Sequence, residues 1–394
     1  MQVPFYSLTR SHKAIRDALD AAIARVVNQG QFVLGYEVEQ FEQEFAHFIG
    51  TKYCIGVGSG LDALTISLRA LGIGDGDEVL LPSHTCHATW LAVLMVGAKP
   101  VPVEVAHFLI DERKLKKVIT SKTKAIMPVH LYGYPCPMDG IMKLASEYGL
   151  SVVEDFAQAQ GAMWNGKRAG SFGRANGTSL YPTKNLGALG DGGALTTDSE
   201  EIANFARAHR NYGSAEKNIH TQLGINSRLD EIQAAILRIK LRHLSQWNQE
   251  RITTAKRYFE GLGQVKEILL PPMPTKMSLP VFHQFVIQTN KREKLMKYLA
   301  ESGIETSIHY PRPIHLQKAY GHLGYAKGSL PEAERLSEQV LSLPIWLGIL
   351  NEEVDYVCEQ IIGFFKTLWG RVLILHDFRV QAIVGRLHFW CCWM

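Results

Sequence analysis

Residues 52–71 read KYCIGVGSGLDALTISLRAL and change their period midway. Tyr53 to Val57 is a short run of strand-forming residues, GVGSG is a turn, and from Leu61 onward apolar residues recur at helical spacing. A strand delivered through glycines into a helix is half of a βαβ unit. The pattern repeats outward. DEVLLPS (77–83) reads as a strand, ATWLAVLMVGA (88–98) as a helix and KPVPVEV (99–105) as a strand. KAIMPVHLYG (124–133), MDGIMKLASEYG (138–149) and LSVVEDFAQAQG (150–161) continue the series. Short strands separated by helices of roughly 10 to 15 residues predict a parallel sheet in an α/β fold.

The texture changes after residue 225. The segment 226–263 keeps helical spacing from Leu229 to Leu262, with Ser227 as the expected N-cap and Asp230 three positions on, as in a capping box. So long a helix can connect two domains. PVFHQFVIQT (280–289), KREKLMKYLAESG (291–303) and GIETSIHYP (303–311) predict a smaller α+β set, closed by an amphipathic helix in EVDYVCEQIIGFFKTLW (353–369). The expected division is a large domain over 1–250, a small domain over 251–369, and an atypical extension over 370–394. That extension, GRVLILHDFRVQAIVGRLHFWCCWM, is basic and ends in aromatics and cysteines. It is open to reading as an irregular tail, a subunit contact or an added segment.

Composition removes several classes. The formal charge of +4 over 394 residues, with no clustered basic stripe, argues against a nucleic-acid surface. No window of about 18 apolar residues predicts a membrane span. No apolar signal region is evident near the start. Six cysteines at 54, 86, 136, 358, 391 and 392 form no CxxC pair, which points away from zinc or a disulfide framework. Reduced thiols fit an expected cytoplasmic location.

Three local features carry chemistry. The Gly58–Leu61 turn places free backbone N–H groups at a helix N-terminus, a phosphate cradle, although a tight turn alone would look the same. It is neither a P-loop nor GxGxxG. Asp155, just after a buried-looking strand in VVEDFAQAQGA (152–162), stands where open α/β sheets bind ligands; a helix cap or surface acid is the plainer alternative. Lys184 lies inside SLYPTKNLGALGDGGAL (179–195), a run of small and turn-forming residues that a surface lysine does not need. A buried lysine reacts with carbonyls through a Schiff base. Phosphate turn, acid and lysine together are the requirement of pyridoxal phosphate, and of no other common cofactor.

The chain resembles the DegT-type nucleotide-sugar aminotransferases, pyridoxal-phosphate enzymes of fold type I, from about residue 3 to about residue 367. The resemblance rests on GSGLDAL, GDEVLLPSHT, VEDFAQAQGA, SLYPTKNLGALGDGGAL, GINSRLDEIQAAIL, IHYPRPIHLQ and LSLP, in the family's order. It implies a large domain built on a mostly parallel, seven-stranded type of sheet flanked by helices, with a smaller α+β domain. Lys184 would then bond the cofactor aldehyde and move protons, and Asp155 would pair with the pyridine nitrogen. Gln158 would touch the ring hydroxyl. Ser179 with the Gly60 and Leu61 amides would hold the phosphate. Asn226 and Arg228 would reach the phosphate of a neighbouring subunit, making a homodimer with shared sites; a turn residue is the simpler reading of Asn226. The family's ring-stacking aromatic is replaced by Cys86 in PSHTCHATW, so either the thiol packs on the ring or His87 takes over.

The implied reaction moves an amino group, commonly from L-glutamate, to a nucleotide-linked keto sugar. YPTKNLGALGDGG, ATWLAV and KPVPVE are similar to the subgroup that aminates C3 of dTDP-3-keto-6-deoxyhexoses, giving dTDP-3-amino-3,6-dideoxyhexoses. A 4-keto-6-deoxyhexose is the alternative, and a non-catalytic cofactor-binding regulator is another. A dehydratase of the same fold is disfavoured, because it would carry histidine at position 184. Tyr181, His309 and His315 are expected at the sugar's end of the site. Arg210, Lys217 and Arg312 are candidates for its diphosphate.

Overall fold

The computed structural model describes residues 1–216 and 218–367. Lys217 and the extension at 370–394 lie outside the described residues. Seven strands form the central sheet: β1 (Tyr53–Val57), β2 (Glu78–Pro82), β3 (Lys99–Val103), β4 (Thr123–Ile126), β5 (Ser151–Asp155), β6 (Ala175–Ser179) and β7 (Gly193–Thr197). Their spatial order is β1-β7-β6-β5-β4-β2-β3. Only β7 runs against the rest, pairing antiparallel with both β1 and β6. The carboxyl ends of β1, β2, β5 and β6 therefore lie along one edge, where a ligand crevice forms in open α/β sheets.

The glycine turn behaves as the sequence predicts. Helix Gly60–Ala70 starts directly after it, with Ser59 Oγ accepting from Asp62 N at 3.1 Å. A Cβ on Gly60 would stand 2.6 Å from the Ser179 Cβ, so only glycine lets this helix tip touch the end of β6.

The long helix runs Glu231–Leu262. Ser227 is not its N-cap. Its hydroxyl accepts from Gly58 N at 2.9 Å and donates to Asp62 at 2.8 Å, so it braces the glycine turn, and Asp230 takes the cap position. The helix threads two cores. Ala234, Leu237 and Leu244 pack with Phe41, Phe45 and Phe156; Ala255, Tyr258 and Leu262 pack with Phe282, Phe285 and Leu341. The second core holds the antiparallel pair Phe285–Gln288 and Val340–Leu343, helix Arg292–Glu301, and the helix over 351–367. No described helix is long and apolar enough to cross a membrane.

Lys240 is buried on this helix and donates to the Gly187 carbonyl at 2.6 Å. Burial lowers its amine to about 7, below the ~10.4 of an exposed lysine. Between those values the unfolded chain holds a proton that the folded chain does not. Stability from this residue therefore rises with pH across that window. In urea titrations, the stability of wild type relative to Lys240→Met should climb from about pH 7.5 to about pH 9.5. A difference that stays level would mean the buried amine keeps its charge.

Candidate active site

A cavity of about 280 Å³ opens at the carboxyl edge of the sheet. Gly60, Leu61, Cys86, Asp155, Gln158, Ser179, Tyr181 and Lys184 all line it, so the sequence-predicted cofactor residues of this chain converge on one space.

At its floor is Asp155, the last residue of β5. One carboxylate oxygen accepts from Thr89 Oγ1 at 2.8 Å and the other from Ala157 N at 3.2 Å. Burial raises its pKa against the pull of these two bonds and of Lys184 and His130. A carboxylate that is dry yet hydrogen-bonded favours a cationic partner over solvent. Its neighbour Glu154 points through the opposite face, as strand alternation requires. Glu154 accepts from Gly170 N at 2.8 Å, Phe172 N at 2.6 Å and Gly173 N at 2.9 Å, and contacts His130 Nε2 at 2.8 Å. Because His130 Nδ1 accepts from Cys136 N at 2.9 Å, Nε2 carries the proton. Only one of the two adjacent acids is left for a ligand.

At the other end the Gly60 and Leu61 N–H groups, in the first helical turn, have no helical acceptor. Ser179 Oγ accepts from Tyr181 N at 3.2 Å, which leaves its own proton free to donate. These donors can hold a phosphate.

Lys184 rises from the wall between them. Its amine makes no hydrogen bond or ion pair among the described residues. Burial lowers its pKa, while the Cys86 thiol and Asp155 pull it upward. An unpartnered amine shifted toward neutrality is a nucleophile for an aldehyde. Acid, amine and phosphate donors thus fit pyridoxal phosphate.

Cys86, not His87, faces the cavity. Helix His87–Met95 begins immediately after the cysteine and its first residue is exposed. Gln158 is buried, with Oε1 accepting from Tyr132 N at 2.7 Å and Nε2 donating to Tyr310 OH at 3.2 Å. Tyr310 escapes sequence reasoning, because its reach to Gln158 depends on a loop from the second core. Burial, with Cys86 and Tyr132 nearby, raises the pKa of its hydroxyl. Thr89, the support of Asp155, carries no sequence signal for that role, since the bond depends on how its helix packs against β5.

Tyr181 is half exposed at the cavity's mouth. His309 is not among the lining residues. Its Nδ1 meets Ser342 Oγ at 2.9 Å, its ring stacks on Phe5 at 5.9 Å, and burial with nearby Lys184 lowers its pKa to about 4. His315 is displaced altogether. It is buried and paired with Glu334 at 3.1 Å, since the short helical turn Ile314–Leu316 folds its ring inward. Arg210 is no surface cation either, being buried against Glu42 and donating to Gly56 O at 2.7 Å. Arg312 remains exposed. Neither Asn226 nor Arg228 lines its own chain's cavity. Asn226 is exposed, and Arg228 donates to Asn211 at 3.3 Å and lies over the Tyr212 ring.

This assembly of lysine, buried acid and helix tip on an α/β sheet defines a cofactor-dependent transferase. The chain belongs to the DegT/DnrJ/EryC1/StrS aminotransferase family, whose profile it matches over residues 13–362. It is similar to the dTDP-3-amino-3,4,6-trideoxy-alpha-D-glucose transaminase of Streptomyces venezuelae, at 49% identity over 87% of this chain and 91% of that protein. It is 47% identical to the dTDP-3-amino-3,6-dideoxy-alpha-D-galactopyranose transaminase of Aneurinibacillus thermoaerophilus, over 91% and 98% of the two chains. The solved structure of S. venezuelae DesV in complex with a ketimine intermediate superposes with a TM-score of 0.90 at 46% identity, covering 92% of this chain and 98% of that one.

Lys184→Ala should lose the visible band of bound cofactor and any borohydride-trapped adduct, with turnover down at least about 10³-fold. Retention of a trapped adduct would place the reactive amine elsewhere.

Proposed function

We propose that this chain transfers the amino group of L-glutamate to C3 of a dTDP-linked 3-keto-6-deoxyhexose. The observation that carries the reading is the unpartnered Lys184 amine in a cavity shared with Asp155 and the Gly60–Leu61 helix tip. The two transaminases at 49% and 47% identity are both named for dTDP-3-amino sugars, which supports the position and the nucleotide.

Pyridoxal 5′-phosphate, when bound, supplies an aldehyde that takes up amino groups and a ring that withdraws electrons from the carbon attached to them. The Gly60 and Leu61 amides and the Ser179 hydroxyl would bind its phosphate. Asp155 would keep the proton on the ring nitrogen. Burial raises the pKa of its carboxyl, and a protonated ring nitrogen beside it would offset that burial with positive charge. Lys184 Nζ would take the proton from the carbon bearing the amino group and deliver it to the carbon on the far side of that nitrogen. Gln158, fixed by Tyr132 and Tyr310, would face the ring hydroxyl. Cys86 would pack on the ring, and Tyr181 would meet the sugar at the mouth. The four described cysteines are all free, which supports a cytoplasmic enzyme.

The test is a half-reaction followed by visible absorption. Enzyme converted by L-glutamate to its amine-loaded form should regain its original band with dTDP-3-keto-6-deoxyhexose and not with the 4-keto isomer. Recovery with the 4-keto sugar alone would reassign the position, and failure of glutamate to convert the enzyme would reassign the donor.

The reading includes a homodimer. Exposed apolar side chains cluster beside Asn226 and Arg228: Leu223 is 94% exposed, and Phe32, Val33 and Tyr36 lie on the segment whose backbone pairs with residues 230 and 231. A second copy would cover them and bring Arg228 to its neighbour's phosphate. Mixing inactive Lys184→Ala with Arg228→Ala should then restore about a quarter of wild-type activity, since half the dimers regain one of two sites. No recovery on mixing would confine each site to one chain.

A further inference from the structure

Behind the cavity, and out of contact with it, three buried amide side chains join the parts that the chemistry needs. Asn185 follows Lys184 directly and is buried. Its Nδ2 donates to Asn248 Oδ1 at 2.8 Å and to the Val281 carbonyl at 3.1 Å, while its Oδ1 lies 3.2 Å from His283 Nδ1. Asn248, buried on the long helix, donates from Nδ2 to the Gln160 carbonyl at 2.9 Å. Gln160 is buried five residues beyond Asp155. Its own Nε2 donates to Ser179 O and Thr178 Oγ1, both at 2.9 Å, and to Ala157 O at 3.3 Å.

We propose that Asn185, Asn248 and Gln160 form a positioning network that fixes Lys184, the Asp155 segment and the Ser179 phosphate wall relative to one another. Each amide reaches a different functional segment. Asn185 holds the lysine's loop, and Gln160 holds both Ala157, whose N–H supports Asp155, and Ser179, which lines the phosphate end. Asn248 is the link between them. It touches neither cofactor nor sugar, so its effect on the site travels through the other two. Buried amides suit this task, because Asn185 and Asn248 each use both donor and acceptor and Gln160 uses its donor, so loss of a member leaves a dry polar group unpaired. A Cβ on Gly161 would stand 2.7 Å from Asn248 Nδ2, so the chain beside Gln160 leaves just enough room for the link. His283 extends the network to the second core, since Phe282 and Phe285 on either side of it are core residues.

The proposal rests on cofactor binding by this site, and the experiment separates the two. Wild type, Asn248→Ala and Asn248→Asp would be stripped of cofactor and titrated with pyridoxal 5′-phosphate, reading the visible band, the pH midpoint of that band, and thermal melting of the apo form. Asn248→Ala should weaken cofactor affinity about tenfold and move the band's pH midpoint, because the lysine and the acid shift relative to each other. Asn248→Asp keeps the acceptor for Asn185 and should recover part of both effects. Should Asn248→Ala fail to fold, the comparison of Asn248→Asp with wild type carries the test. An altered melting temperature with unchanged affinity and unchanged midpoint would reduce Asn248 to ordinary packing and overturn the network. A wild-type chain that takes up no cofactor would instead overturn the reading beneath it.

Discussion

Asp155 carries its carboxylate to a nearly buried position at the carboxyl edge of the sheet. Burial of a lone carboxylate is expensive, and a protein accepts it only where hydrogen bonds and an opposite charge offset the loss of solvent. Here Thr89 and the Ala157 N–H satisfy the two oxygens, but neither brings a positive charge. Lys184 supplies part of it from across the cavity, and burial, working against the pull of Asp155, leaves its own proton held less firmly than on a surface lysine. Acid and amine are therefore tuned by one shared dryness. A ligand with a cationic ring nitrogen and an aldehyde completes both.

That dryness is made by the sheet. Strand alternation sends Glu154 one way, into three backbone amides and His130, and Asp155 the other. The parallel arrangement sets the ends of β1, β2, β5 and β6 side by side, so residues far apart in sequence share one wall. The close approach of Gly60 to Ser179 then seals the phosphate end.

Much of this was legible in the sequence because it depends on local pattern. The strand-and-helix alternation survives in the seven-stranded sheet, and Lys184, Asp155, Gly60, Leu61, Ser179, Gln158, Cys86 and Tyr181 share one cavity. What failed depends on where a side chain turns after the backbone is placed. Ser227 looked like a cap, yet its hydroxyl is taken by Gly58 and Asp62. His315 and Arg210 looked like substrate contacts, yet each is buried beside an acid, Glu334 or Glu42, more than ten residues away along the chain. Tyr310 and the amide network went unseen for the same reason, since their partners come from other elements. Asn226 and Arg228 are a different case: the expectation concerns a second chain, and one chain's geometry speaks only to their exposure.

The helix Glu231–Leu262 is a member of both cores at once. A rod shared in this way ties the two cores through one continuous element. Severing it between Leu244 and Ala255 would strip an apolar face from each side in the same stroke. Unfolding of either core would therefore pull on the helix that the other is built around, which couples their melting.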